Sequence, residues 1–281
     1  MTIRHSPTVR RRRLGIELRR LREAAGITIE AVADRLECSS SKISRIETGH
    51  SGATPRDVRD MLAVYGVDGP VAEDLVQVAR EARQKGWWHL YGTVLTGAYV
   101  GLEAAASTIS QYEAQVVPGL LQVPEYARTM ICKARPDISE AEVDRRVRVR
   151  MARQSLVSQD DPPHLAVVLD EAVFHRLVGG LAVMRRQLDH LVMAAGRTNV
   201  TLQVLPFAVG AHAGMDGSFA ILGYEEAADP DVVFAENAAG GLFLEKDEEL
   251  RRYHVIFDQL RASALPPDQS AEFLAARAKE L

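Results

Sequence analysis

The sequence predicts two unlike parts: an all-α head of five short helices, then an α+β body, for which α/β is the other arrangement its pattern allows. Three observations predict this. Apolar residues recur at helical spacing through the first 85 residues, then mix helical with alternating spacing. Charge is unequally divided: residues 1–50 hold eleven Lys and Arg against six acids, or +5, leaving −9 of the net −4 to the other 231 residues. Finally, 281 residues of which 47% are hydrophobic suffice for two cores.

In the head, Leu14, Leu18, Leu21 and Ala25 form one helical stripe, and Gly26 stops it. Thr28 caps a second helix with Val32, Ala33 and Leu36 inward, and Glu37-Cys38-Ser39 is a tight turn. A third helix turns Ile43 and Ile46 inward and ends at Thr48-Gly49. Thr54-Pro55-Arg56-Asp57 reads as a cap, a proline at the first helical position and an acid at the third. The fourth helix buries Val58, Leu62 and Tyr65, and the fifth, over 71–84, buries Val71, Leu75, Val78 and Ala82. Short helices joined by a tight turn make a helix-turn-helix arrangement.

The stretch from Gly26 through Ala33, with Cys38 through Gly49, resembles the Xre/Cro/repressor class, implying a lambda-repressor-like head that binds DNA. Two positions depart from that class. Ile29 stands where a glutamine usually braces a phosphate contact. Glu37 stands where glycine usually accepts a positive φ, at a cost on the order of 1 kcal/mol. The resemblance also implies an ion pair of Arg22 with Glu47, which makes Arg22 structural.

The chemistry of the third helix points the same way. Ser39 is a good N-cap, and with Ile43 and Ile46 inward, Ser40, Ser41, Lys42, Ser44 and Arg45 face outward without an acid among them. Ser40, Ser41 and Arg45 match the positions that read base edges in the class this stretch resembles, which implies Arg45 as a bidentate partner for guanine. Thr28, Lys42, Ser44 and Thr48 suit phosphates. Arg10, Arg11, Arg12 and Arg13 read as a basic arm over 1–13 that neutralises phosphates, or as a solubilising tail. The head proper then spans 14–85.

Residues 86–101, with Trp87, Trp88 and Tyr91, read as an aromatic connector packing head to body; a ligand or dimer contact is the other reading. A regulatory and dimerisation domain spans 102–281. Its expected helices are 103–108, one from Pro124, one from Ser139 to about Ser158, 181–195, 250–260 and 270–281. Its expected strands are 109–116, 165–169, 200–205, 219–222 and 232–235. Val117 through Ala127, Val168 through Val173, Gln187 through Leu191 and Val200 through Phe207 with Gly217-Ser218-Phe219 resemble the body of WhiJ-like actinomycete regulators. That resemblance implies transcriptional control and a small partner protein encoded next door, and no agreed ligand.

Catalytic and metal motifs are absent: there is no GxSxG, GxxxxGK, GxGxxG or HExxH, and the eight histidines lack ligand spacing. Asp170, Glu171 and His175 fit either a carboxylate–imidazole site or a solvated helix start. Gly210 through Gly214, with Gly217-Ser218, fits a ligand-closing loop or a plain strand connection. We therefore expect no enzyme, cofactor or metal. No run of 18 uncharged apolar residues exists, no apolar signal core follows the N-terminal arginines, and two cysteines make no disulfide framework, so the expected compartment is the cytoplasm, at the nucleoid when bound to DNA. The expected function is a homodimeric regulator reading a near-palindromic double-stranded operator, its body receiving a small-protein or metabolite signal. An antitoxin-like binder of the neighbouring small protein is the alternative, and an enzyme tethered to DNA the third.

Overall fold

The computed structural model describes residues 7–83, 98–226, 229–237 and 240–281. They divide into two compact units. The first runs up to Ala105 and includes Glu226–Asp229; the second comprises Ala106–Glu225 and Pro230–Leu281. Among the described residues, no helix is long and apolar enough to cross a membrane.

The first unit is helical: α1 (Pro7–Ala24), α2 (Ile29–Arg35), α3 (Ser40–Glu47), α4 (Pro55–Tyr65), α5 (Gly69–Glu81) and α6 (Ala98–Ala105). The expected punctuation is in place. Gly26 takes a φ of 68°, and Thr28 and Ser39 accept hydrogen bonds from the third helical N–H of α2 and α3. Thr54 and Asp57 form a reciprocal capping box with Pro55 in the first turn of α4. Glu37 is the one non-glycine residue of positive φ, at 50°, among those described. Leu14, Leu18, Val32, Ile43, Ile46, Val58 and Leu62 meet in one core.

Three expectations need correction. Helix α1 starts at Pro7, so Arg10 to Arg13 lie inside it rather than in an arm before it. Arginine stems bury alongside apolar residues, which hydropathy spacing does not register. Ala25 is exposed, and α5 buries Leu75, Val76 and Ala79 while Val71 stays 53% exposed. Ala79, with no bulk beyond Cβ, lets α5 approach its neighbours along that seam. The aromatic connector lies outside the described residues up to 97; its last residues, 98–101, open α6, which packs on α1 in the first unit.

The second unit is α+β. In chain order it has β1 (Thr108–Glu113), α7 (Pro124–Ala134), α8 (Glu140–Arg153), β2 (His164–Asp170), α9 (Ala172–His175), α10 (Leu181–Ala195) and β3 (Val200–Leu205). Then come β4 (Phe219–Gly223), β5 (Val232–Asn237), β6 (Gly240–Leu244), α11 (Asp247–Ser263) and α12 (Pro267–Glu280). The six strands form one mixed sheet of order β3-β2-β1-β4-β5-β6. β1, β2 and β3 are parallel; β4, β5 and β6 continue antiparallel. Strand β6 went unforeseen, because Gly240-Gly241 reads as a breaker. The long helix from Ser139 keeps α geometry to Arg153 and finishes as a 3₁₀ turn over Gln154–Val157.

Register sorts the side chains. Tyr112 lies opposite Val168 and Asp170 opposite Leu205, so Tyr112, Val168, Asp170 and Leu205 share the sheet face that packs on Leu250, Phe257 and Leu260 of α11. Leu165, Val167 and Leu169 alternate to the other face and are equally buried. A strand apolar on both faces needs cover on both, and α10 and α12 pack together and against β3.

Candidate nucleic-acid interface

Helix α3 is held from behind at its C-terminal end. Arg22 of α1 donates from Nε to Glu47 Oε1 at 2.8 Å and from Nη2 to Oε2 at 2.9 Å, and from Nη1 to the Ile27 carbonyl at 2.8 Å. Both partners are buried, and hydrogen bonding to Glu47 raises the arginine further above its ordinary value. A bidentate pair fixes angle as well as distance. Gly15 makes the crossing close: a Cβ there would stand 2.6 Å from the Ile46 carbonyl oxygen and 2.7 Å from that of Glu47.

The opposite face is open. Ser41, Lys42 and Arg45 are exposed, and Ser40 and Ser44 half-buried. Among the described residues, the Arg45 guanidinium has no hydrogen-bond or ion-pair partner. Ser39 Oγ accepts from the Lys42 N–H at 3.2 Å, so the start of α3 is ordered by its cap. Lys42 is committed: its Nζ lies 2.7 Å from Asp57 Oδ1 of α4. Burial pushes the Asp57 carboxyl up, but hydrogen bonds from Lys42 and Thr54 prevail and hold it at about 2. Thr28 is exposed at the start of α2, its Oγ1 accepting from Ala31 N–H. Thr48 is exposed after α3, with Oγ1 donating to the Ser44 carbonyl at 2.8 Å.

The four consecutive arginines do not gather on this face. Successive helical residues turn by about 100°, so four of them circle the axis. Arg10 Nε lies 3.2 Å from Glu81 Oε2, Arg12 is 7% exposed, Arg11 is half-buried, and Arg13 pairs with Glu226 of the same unit.

In the second unit, chemistry collects at the carboxyl ends of the parallel strands. Asp170 Oδ1 accepts from Ala172 N–H at 2.8 Å, and Glu171 Oε2 from Phe207 N–H at 2.8 Å. His175 lies 3.2 Å from Glu171 Oε1 and stacks on Phe207 with centroids 5.5 Å apart. These groups tie a strand end to the following loop, as helix-start acids do. Two residues of this cluster escaped sequence reading. His212 accepts from Gly214 N–H at Nδ1, and its Nε2 is 3.6 Å from Asp170 Oδ2. Tyr112 is wholly buried beside it, with ring centroids 6.0 Å apart, and its hydroxyl has no hydrogen-bond partner. Gly214 presses on the Tyr112 ring, where a Cβ would come to 2.5 Å. The only sequence signal was the glycine spacing of that loop. Among the described residues, no three His, Cys, Asp or Glu side chains could hold a metal.

A short capped helix with an open basic face, locked to the helices behind it, defines a helix-turn-helix protein, and residues 13–75 match the helix-turn-helix domain family. Residues 96–276, more than half of the chain, match the domain of unknown function DUF5753, and the chain belongs to that family. Comparison with curated proteins and with solved structures returned no match.

Proposed function

We propose that the protein is a sequence-specific transcriptional regulator that binds double-stranded DNA as a dimer on a near-palindromic operator. The observation that carries this reading is Arg45: a partnerless guanidinium on a helix fixed by Gly15 and the Arg22–Glu47 pair. A fixed helix with a free planar donor meets the geometric demand of bidentate guanine reading. Ser40 and Ser41 read beside it, while Ser44, Thr28 and Thr48 contact phosphates. Lys42 joins them on exchanging Asp57 for a phosphate. The Xre-type and WhiJ-like resemblances support a regulator rather than an enzyme, working in the cytoplasm on the nucleoid. Arg45→Ala is expected to weaken binding to a promoter fragment by ~1–3 kcal/mol and to relax selectivity at one base pair. Undiminished selective binding in a mobility-shift titration refutes the assignment of the reader.

The body receives the signal. The buried, partnerless Tyr112 hydroxyl beside Asp170 and His212 supports a small metabolite entering at the carboxyl end of the sheet, where α/β sheets bind ligands. The antitoxin-like alternative, in which a small partner protein is the main ligand, rests on the WhiJ-like resemblance alone. Co-purification of the full chain with the product of the adjacent gene separates the two.

A further inference from the structure

The two edges of the sheet are treated differently. At the β3 edge, Leu265 N–H donates to the Val204 carbonyl at 2.8 Å, Ser270 Oγ accepts from the Val204 N–H at 3.0 Å, and Gln203 Nε2 donates to the carbonyls of Arg261 and Leu265. The residues leading into α12, with its first turn, thereby close that edge. At the other edge, β6 pairs with β5 alone among the described residues, and its Gly240, Gly241 and Leu242 are exposed. Gly240-Gly241-Leu242-Phe243-Leu244 carries no charge and no proline, the usual means of blunting an edge strand. Leu242, at its centre, is 55% exposed.

We infer that β6 is the dimerisation edge, pairing antiparallel with β6 of a second copy to give one continuous twelve-stranded sheet. An open edge offers alternating donors and acceptors, and an antiparallel pair of identical strands is two-fold symmetric by construction. The strand is complementary to itself about Leu242. There the two Leu242 side chains meet, each Phe243 lies opposite the partner's glycine at 241, and Leu244 lies opposite the glycine at 240. On the Phe243 face, Phe234 covers Gly241 and packs against Phe243 with tilted rings 5.0 Å apart, so the pairing joins two aromatic pairs into one row. No charge opposes a like charge within the paired segment. A second copy suits this edge better than a foreign strand because Phe243 and Leu244 each meet a glycine and Leu242 meets its own copy.

This inference rests on the operator-binding reading only for its consequence, that two heads are joined; the dimer itself is measured without DNA. Sedimentation of the full chain over a dilution series is expected to show a concentration-dependent dimer, as a small interface predicts. Leu242→Lys places a charge at the symmetry axis and is expected to leave a monomer with an unchanged melting curve. Met193→Lys, at an even more exposed site on α10, is expected to remain dimeric. Hydrogen exchange on the unmutated protein gives the second measurement: amides of 240–244 are expected to gain protection as concentration rises. Operator affinity of Leu242→Lys is expected to fall by about a hundredfold through lost avidity. A monomeric parent at every concentration, a Leu242→Lys variant as dimeric as the parent, or amides of 240–244 indifferent to concentration overturns the inference. A dimer disrupted by Leu242→Lys in a protein that selects no DNA supports the edge and refutes the operator reading instead.

Discussion

Glu113 closes β1 with a carboxyl pushed up to about 7 by burial and, more weakly, by Glu236, against hydrogen bonds from Ser218 and Gln111 that favour the anion. An acid raised in the folded state holds a proton there that the unfolded chain releases near 4.5, so its contribution to stability is greatest at acid pH and is lost as pH rises through about 7. Replacing it with the neutral Glu113→Gln is expected to remove that slope and to stabilise the protein by ~1–3 kcal/mol above neutrality. Urea unfolding on either side of neutrality measures this; an unchanged slope in the variant counts against it. Sequence reading saw Glu113 only as one place in an alternating strand, since burial depends on what folds over it. Arg45 was legible because Ile43 and Ile46, two hydrophobic neighbours, dictate which way it points. Asp57 was legible as a cap but not as the partner of Lys42, fifteen residues away.

Helix α1 decides how α3 is presented. Gly15 is where α1 comes up against two α3 carbonyls, and its φ is ordinary; what it supplies is the missing side chain. Gly15→Ala must push the helices apart, since both obstructing atoms are backbone. We expect a loss of ~1–3 kcal/mol in thermal unfolding together with weaker operator binding. A variant as stable as the parent would mean that the crossing tolerates a methyl group. The caps at Thr28, Ser39 and Thr54 were legible because a hydroxyl three residues before its N–H is local chemistry. The start of α1 and the buried seam of α5 were not, because neighbouring helices choose which side of a helix is buried.

Charge belongs to the whole molecule, and its uneven division predicts which cations govern DNA affinity. Log affinity falls with log salt by roughly 0.9 per phosphate contact. Arg10 already holds Glu81, so Arg10→Gln is expected to leave the slope of a salt titration unchanged; a slope shallower by about one would restore the arginine run as a phosphate-binding arm. The sequence by itself determined the helix-turn-helix head, the α+β class of the body, most element positions and the outward face of α3. These follow from spacing within a few residues, where periodicity and capping act. Only the tertiary structure decided that the arginine run is built into α1, that Lys42 faces Asp57, that Tyr112 meets His212 at a strand end, and that β6 is the last strand of the sheet among the described residues. Each of those depends on contacts between segments distant in the chain, which local pattern does not encode.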